Sequence, residues 1–131
     1  MGSSDLSTEA GGAVEKRLRV TNRRSGKQIA THAGIANTSE LRRRGLLKHS
    51  SLDEGDGLWI APCEAVHSFG MKFAIDVLYL NKQKKILKIR PNMVKSRISL
   101  CLSAHSVLEL PAGTVAKTGT AVGDELEFEK V

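Results

Sequence analysis

The strand-like runs of this chain are short, and turn residues cut off each of them. That pattern suits a sandwich or a barrel, because strands alternating with long helices would need helix-periodic segments in between. The runs read as strands are 17–22, 28–33, 57–62, 75–81, 84–90, 98–102, 106–110, 114–117 and 125–130. The first two flank Arg23-Arg24-Ser25-Gly26-Lys27 as a hairpin, and 75–81 with 84–90 form a second around Lys82-Gln83. One short helix is expected, capped by Thr38, turning Leu41 inward and ended by Gly45. In Leu126-Glu127-Phe128-Glu129 the alternation sends Leu126 and Phe128 to the core and the acids outward. The expected fold is mainly β, a compact β-sandwich or barrel-like single domain with one or two short helices.

A chain of 131 residues can bury a core without disulfides or metal. Residues 1–16 are small and polar and read as a flexible N-terminal leader, with one domain over 17–131. The start has no signal-peptide core, no run is long enough to span a membrane, and Leu6 stands where a myristoylation signal needs Ser or Thr. The expectation is a soluble, cytoplasmic protein with no membrane partner, whose Cys63 and Cys101 are reduced thiols.

The formal charge of +6 is unevenly spread. Basic residues without any acid fill 16–27, and Lys82, Lys84, Lys85, Lys88, Arg90, Lys95 and Arg97 lie between Asp76 and Glu109 with no acid among them. Such patches can attract anions. Outward lysines also blunt sheet edges, and a solvated face is the favoured account of both stretches. With five aromatic residues in all, a base-stacking platform is not indicated, and nucleic acid has no support beyond charge.

The segment 57–80, GLWIAPCEAVHSFGMKFAIDVLYL, gathers the single Trp, a Cys, a His, a Met and an Asp among apolar neighbours. Polar groups in such company must find partners or perform a function. Cys63 and His67 offer a thiol and a base, with Asp76 as a third group to orient the ring; their spacing matches no strong catalytic signature. A buried thiol and a hydrogen-bonded core histidine explain the same residues. Cys63, His67 and Met71 supply soft ligands at four-residue intervals, but three fall short of a closed site and no metal is expected. Asp76, at the head of a buried strand, is expected to accept hydrogen bonds, with Lys72 as one candidate partner. Phosphate loops, nucleophile elbows and paired Cys-x-x-Cys are absent, and His32, His49 and His105 form no motif.

Four stretches in order carry a family likeness: Arg44-Gly45-Leu46-Leu47; Gly57 to Cys63; Val66 to Leu80; and Val107-Leu108-Glu109-Leu110-Pro111-Ala112-Gly113 with Gly123-Asp124-Glu125-Leu126. Over residues 28–128 the chain resembles the bacterial and archaeal family called domain of unknown function 192. The resemblance implies a compact β-sandwich or barrel with short helical insertions and no agreed activity. One branch of that family has Trp-Met-Lys-Asn-Thr where this chain has Gly70-Met71-Lys72-Phe73, and lacks the Cys and His. Cys63 and His67 then cannot serve a family-wide chemistry, while Met71, Lys72 and Asp76 could share a pocket or a packing motif. This chain departs from the commonest pattern at Ala74 and Asn81, where Pro and Asp are frequent.

The leading functional reading is a small-ligand-binding or accessory module in which Trp59, His67, Met71, Lys72 and Asp76 line one pocket. The alternatives are a thiol-dependent enzyme using Cys63 and His67, or anion and nucleic-acid association through the basic strands. No cofactor is identified, and the partner is left open between a small molecule and a protein.

Overall fold

The computed structural model describes residues 17–46, 51–68, 71–95 and 97–131; the leader expected over 1–16 lies outside the described residues. The elements in chain order are β1 (Arg17–Asn22), β2 (Gln28–Ala36), α1 (Ser39–Arg44), β3 (Leu58–Ile60), β4 (Ala65–His67), β5 (Ile75–Leu80), β6 (Ile86–Met93), β7 (Ile98–Leu100), β8 (Ser106–Pro111), α2 (Thr114–Thr118) and β9 (Leu126–Lys130). Seven strands form one sheet in the order β9-β1-β2-β3-β8-β5-β6, and β4 pairs with β7 in a separate ribbon. Among the described residues, only β2 and β3 run parallel within the large sheet.

The sheet curls into a half-barrel. Its edge strands β6 and β9 touch at one end, where Ile86 N–H donates to Asp124 O at 2.9 Å and Leu126 N–H to Lys84 O at 3.0 Å. Both faces are covered, so the interior strand β5, Ile-Asp-Val-Leu-Tyr-Leu, flanked by β8 and β6, is buried at every position. A strand buried on both faces reads as a continuous apolar run. Leu78, Leu80, Leu108 and Leu110 point into the barrel with Leu18, Val20, Ile29 and Leu126. Ile75, Val77, Tyr79, Val107, Leu58 and Ile60 point outward to a second core, roofed by Val66 of the ribbon, Met71, Met93 and Leu46, with Leu41 of α1 against it.

Local chemistry fits these elements. Thr38 Oγ1 accepts Leu41 N–H at 3.1 Å to cap α1, and Gly45 closes it at φ 49°. In the β5–β6 hairpin Asn81 Oδ1 accepts both Gln83 N–H and Lys85 N–H at 2.9 Å. Leu126 is buried, Phe128 packs against the barrel core, and Glu127 and Glu129 face solvent.

Two sequence expectations are corrected. The run 114–117 is not a strand but the start of α2, set between Gly113 at φ 95° and Gly119 at φ 67°. Its β-branched residues favour extended chain, yet Val115 N–H is drawn onto the Asp76 carboxylate at 2.9 Å, a bond that fits the first turn of a helix. Ala65–His67, outside the runs read as strands, is a ribbon strand, too short to carry a legible alternation.

Candidate functional site

Gly57 lets the segment 57–80 enter the sheet closely. A Cβ there would lie 2.9 Å from Glu109 O and 3.1 Å from Leu110, so only glycine allows this approach of the backbone before β3 to β8. Along β3, Leu58 and Ile60 face the outer core while Trp59 packs on the barrel core. The indole meets the Phe128 ring edge-on at 5.2 Å and 86°, and Lys84 Nζ lies 5.1 Å from its centroid. Trp59 Nε1 is buried with no protein acceptor.

Asp76 shares the barrel-side face. Its Oδ1 accepts Asn92 N–H at 2.8 Å and its Oδ2 accepts Val115 N–H. The first bond pins the irregular pairing of β5 with β6, where Asn92 sits at φ 48°, and the second anchors α2. Both acceptors of this 1% exposed carboxylate are backbone-bound, and Lys72 is exposed.

The remaining expected residues lie elsewhere. Met71 is buried in the outer core. His67 is exposed on β4, whose inward residue is Val66. Trp59, His67, Met71, Lys72 and Asp76 therefore do not line one pocket: two face the barrel, one the outer core and two the solvent. Among the described residues no group of three or more His, Cys, Asp or Glu is placed to hold a metal ion.

The structure instead surrounds Cys63 with groups from distant parts of the chain. After the cis Ala61–Pro62 bond, Cys63 N–H donates to His105 O at 2.9 Å, and Cys101 N–H donates to Glu64 O at 2.8 Å. Cys63 Sγ donates to Ala65 O at 3.1 Å. Cys63 and His105 line an open cleft of about 610 Å³ with Pro62, Glu64, Asn81 and Ala104. Cys63, Cys101 and Ala104 pack on the outer core behind it.

That core holds an uncompensated carboxyl. Glu109 stands between Leu58 on one neighbouring strand and Val77 on the other, is 5% exposed, and its Oε1 has no partner in the protein. Burial pushes its pKa up to about 7, so near neutrality it is divided between acid and carboxylate. Burial pushes both the Cys63 thiol and the Tyr79 phenol above their ordinary values, and the Glu109 charge adds a smaller push in the same direction. Tyr79 OH, Ser99 Oγ and His105 Nδ1 are also buried without a hydrogen bond of normal geometry, although Ser99 Oγ sits close enough to the phenol to act on its ionisation. A buried polar atom left unpaired costs roughly 1–3 kcal/mol, so several in one region need an explanation.

Sequence reasoning missed Glu109. A lone acid in Val-Leu-Glu-Leu reads as the outward residue of a half-buried strand. The usable signal lay next door in Ile75–Leu80, where Ile75, Val77 and Tyr79 on one side and Leu78 and Leu80 on the other mark a sheet covered on both faces. A second polar chain, Thr31 Oγ1 to His32 Nδ1 at 2.8 Å and His32 Nε2 to Asp56 Oδ1 at 3.0 Å, also went unread. It lies at the surface, without the water exclusion that gives such a relay catalytic strength.

The fold and this polar interior define a mainly β domain with a curled sheet and a covered outer core. The family model DUF192, "Uncharacterized ACR", matches residues 20–128, and the chain belongs to that family. A crystal structure from Sinorhizobium meliloti, described as a "putative transcription regulator", is similar with TM-score 0.76 and 25% identity, over 86% of this chain and 92% of that one. A protein of unknown function from Novosphingobium aromaticivorans is similar with TM-score 0.78 and 19% identity, over 92% and 91%. No curated protein matches the chain.

Proposed function

We propose that the protein is a small-molecule-binding module whose site is the cleft at Cys63 and His105, with Glu109 as the buried recognition group behind it. The observation that carries this reading is the Glu109 carboxyl, enclosed by Leu58 and Val77 with an unpartnered oxygen, on the outer-core face against which the cleft residue Cys63 also packs. Binding sites commonly combine an apolar wall with a few polar groups that fix orientation. A carboxyl held near neutrality by burial can accept a hydrogen bond from an amine, amide or hydroxyl, or donate one when protonated. The ligand class it suits is a small organic molecule with an apolar body and one such group.

This reading keeps binding as the function and moves the site. Of the residues expected from sequence only Cys63 stays, as a wall of the cleft. Its raised pKa keeps it a thiol at neutral pH, which favours a packing role over that of a nucleophile.

Native mass spectrometry of the untagged protein, purified gently under reducing conditions, tests the reading. The expected result is a reproducible extra mass of a small organic molecule that is lost from Glu109→Gln while the fold persists. A bare chain mass, together with an identical amide exchange pattern in wild type and Glu109→Gln after incubation with a panel of small amines, amides and alcohols, would reject it.

A further inference from the structure

Six large apolar side chains are exposed among the described residues, and four of them belong to one short stretch: Val94 at 40%, Ile98 at 64%, Leu100 at 46% and Leu102 at 73%. The alternation of β7 explains two of these. Ser99 turns inward beneath the ribbon, so Ile98 and Leu100 share its outer face. Monomeric proteins scatter exposed apolar residues singly, and a cluster marks a contact surface.

Positive charge borders the cluster. Lys95 follows Val94 and Arg97 precedes Ile98, and Lys88 Nζ donates to Leu100 O at 2.7 Å, which sets its ammonium beside the strand. Arg90 is on the same strand as Lys88. No acid occurs in the sequence between Asp76 and Glu109. On the partner side of the ribbon stands the exposed Glu64, joined to Cys101 through its backbone at the end away from Ile98.

We propose that the outer face of the β4–β7 ribbon docks on an anionic phospholipid surface, with Ile98, Leu100 and Leu102 entering the acyl boundary and Lys88, Lys95 and Arg97 meeting the headgroups. Apolar insertion combined with attraction of basic side chains to anionic lipid is how peripheral proteins hold to a membrane. A second copy of this chain is a poor occupant, because the same positive border would face itself. Nucleic acid would satisfy the cations and leave the isoleucine and leucines unmatched, since phosphates bind charge. The apolar groups project from the outermost layer of the fold instead of lining a groove, which suits a deformable lipid boundary. No helix of the described residues is long and apolar enough to cross a membrane, and this mode of binding needs none.

Co-sedimentation with vesicles of phosphatidylcholine alone, and of phosphatidylcholine mixed with phosphatidylglycerol, tests the proposal alongside retention on duplex DNA. Partition onto the mixed vesicles is expected to exceed that onto the neutral ones by roughly tenfold or more. The double variant Ile98→Ser, Leu102→Ser should lose most of that binding while keeping its thermal midpoint and its DNA retention, since both side chains are mainly exposed. Lys95→Glu with Arg97→Glu should abolish the preference for anionic vesicles. Equal binding to both vesicle types, no binding to either, or undiminished binding by the serine variant would overturn the proposal; retention on DNA without vesicle binding would assign the surface to nucleic acid. None of these substitutions touches the Cys63–Glu109 site, so this inference and the ligand-binding reading fail independently.

Discussion

Asp76 and Glu109 lie on adjacent strands one register step apart, Asp76 opposite Leu110 and Glu109 opposite Val77. That single step sends their side chains to opposite faces of the sheet. Asp76 meets two backbone N–H groups there, and Glu109 meets hydrocarbon. Replacing Asp76 with Ala strands both N–H groups in a buried setting and should cost on the order of 2–4 kcal/mol in urea unfolding; Asp76→Asn, which keeps one acceptor, should cost less. The role of Asp76 as a buried acceptor at a strand entrance was legible in its apolar neighbours, Ile75 and Val77. Its partners were not, because Asn92 and Val115 come from segments whose approach depends on the curl of the whole sheet. Glu109 was illegible for the complementary reason: whether an acid in a short strand faces water depends on what covers its second face.

At the level of elements, hairpins and caps could be read because their determinants are a few residues apart. Thr38 with Leu41 and Asn81 with Lys85 are closed local systems. Asn81→Ala removes the acceptor for two turn N–H groups, and the β5–β6 hairpin should lose about 1 kcal/mol, visible as a lower denaturation midpoint with an unchanged denaturant slope. The ribbon was illegible as a pair. Ala65–His67 and Ile98–Leu100 are each three residues long, and their pairing joins positions more than thirty apart. The residues 114–117 show the opposite failure, in which local preference was plain and a single long-range carboxylate overrode it.

Across the whole molecule two carboxylates pull the pH dependence of stability in opposite directions. Asp124 accepts from Arg24 Nε at 2.6 Å, Asn22 Nδ2 at 2.8 Å and Ala121 N–H at 2.9 Å, and the Arg24 guanidinium holds it well below the usual carboxylate range. Its contribution is present above its ordinary pKa and fades as acid protonates it. Glu109 acts in reverse. Raised from 4.5 to about 7, it binds more protons folded than unfolded between those values. Its contribution is complete below pH 4.5 and lost as pH rises to about 7, a change of up to about 3 kcal/mol. Urea unfolding should therefore show highest stability in mildly acidic buffer and a decline towards neutrality that vanishes in Glu109→Gln. A decline unchanged in that variant would place the titrating group elsewhere.

The pairing of β9 with β1 has a mechanical consequence. Val131 N–H donates to Arg17 O at 3.2 Å, and Lys130 faces Leu18, so residues 17 and 131 lie at the same end of one antiparallel ladder. Tension applied between residues 17 and 131 would load the rungs one after another, first Lys130 with Leu18 and then Glu129 with Arg19, as a zipper opens from its slider. A domain held together by two buried cores would thus open rung by rung under a pull along its own chain.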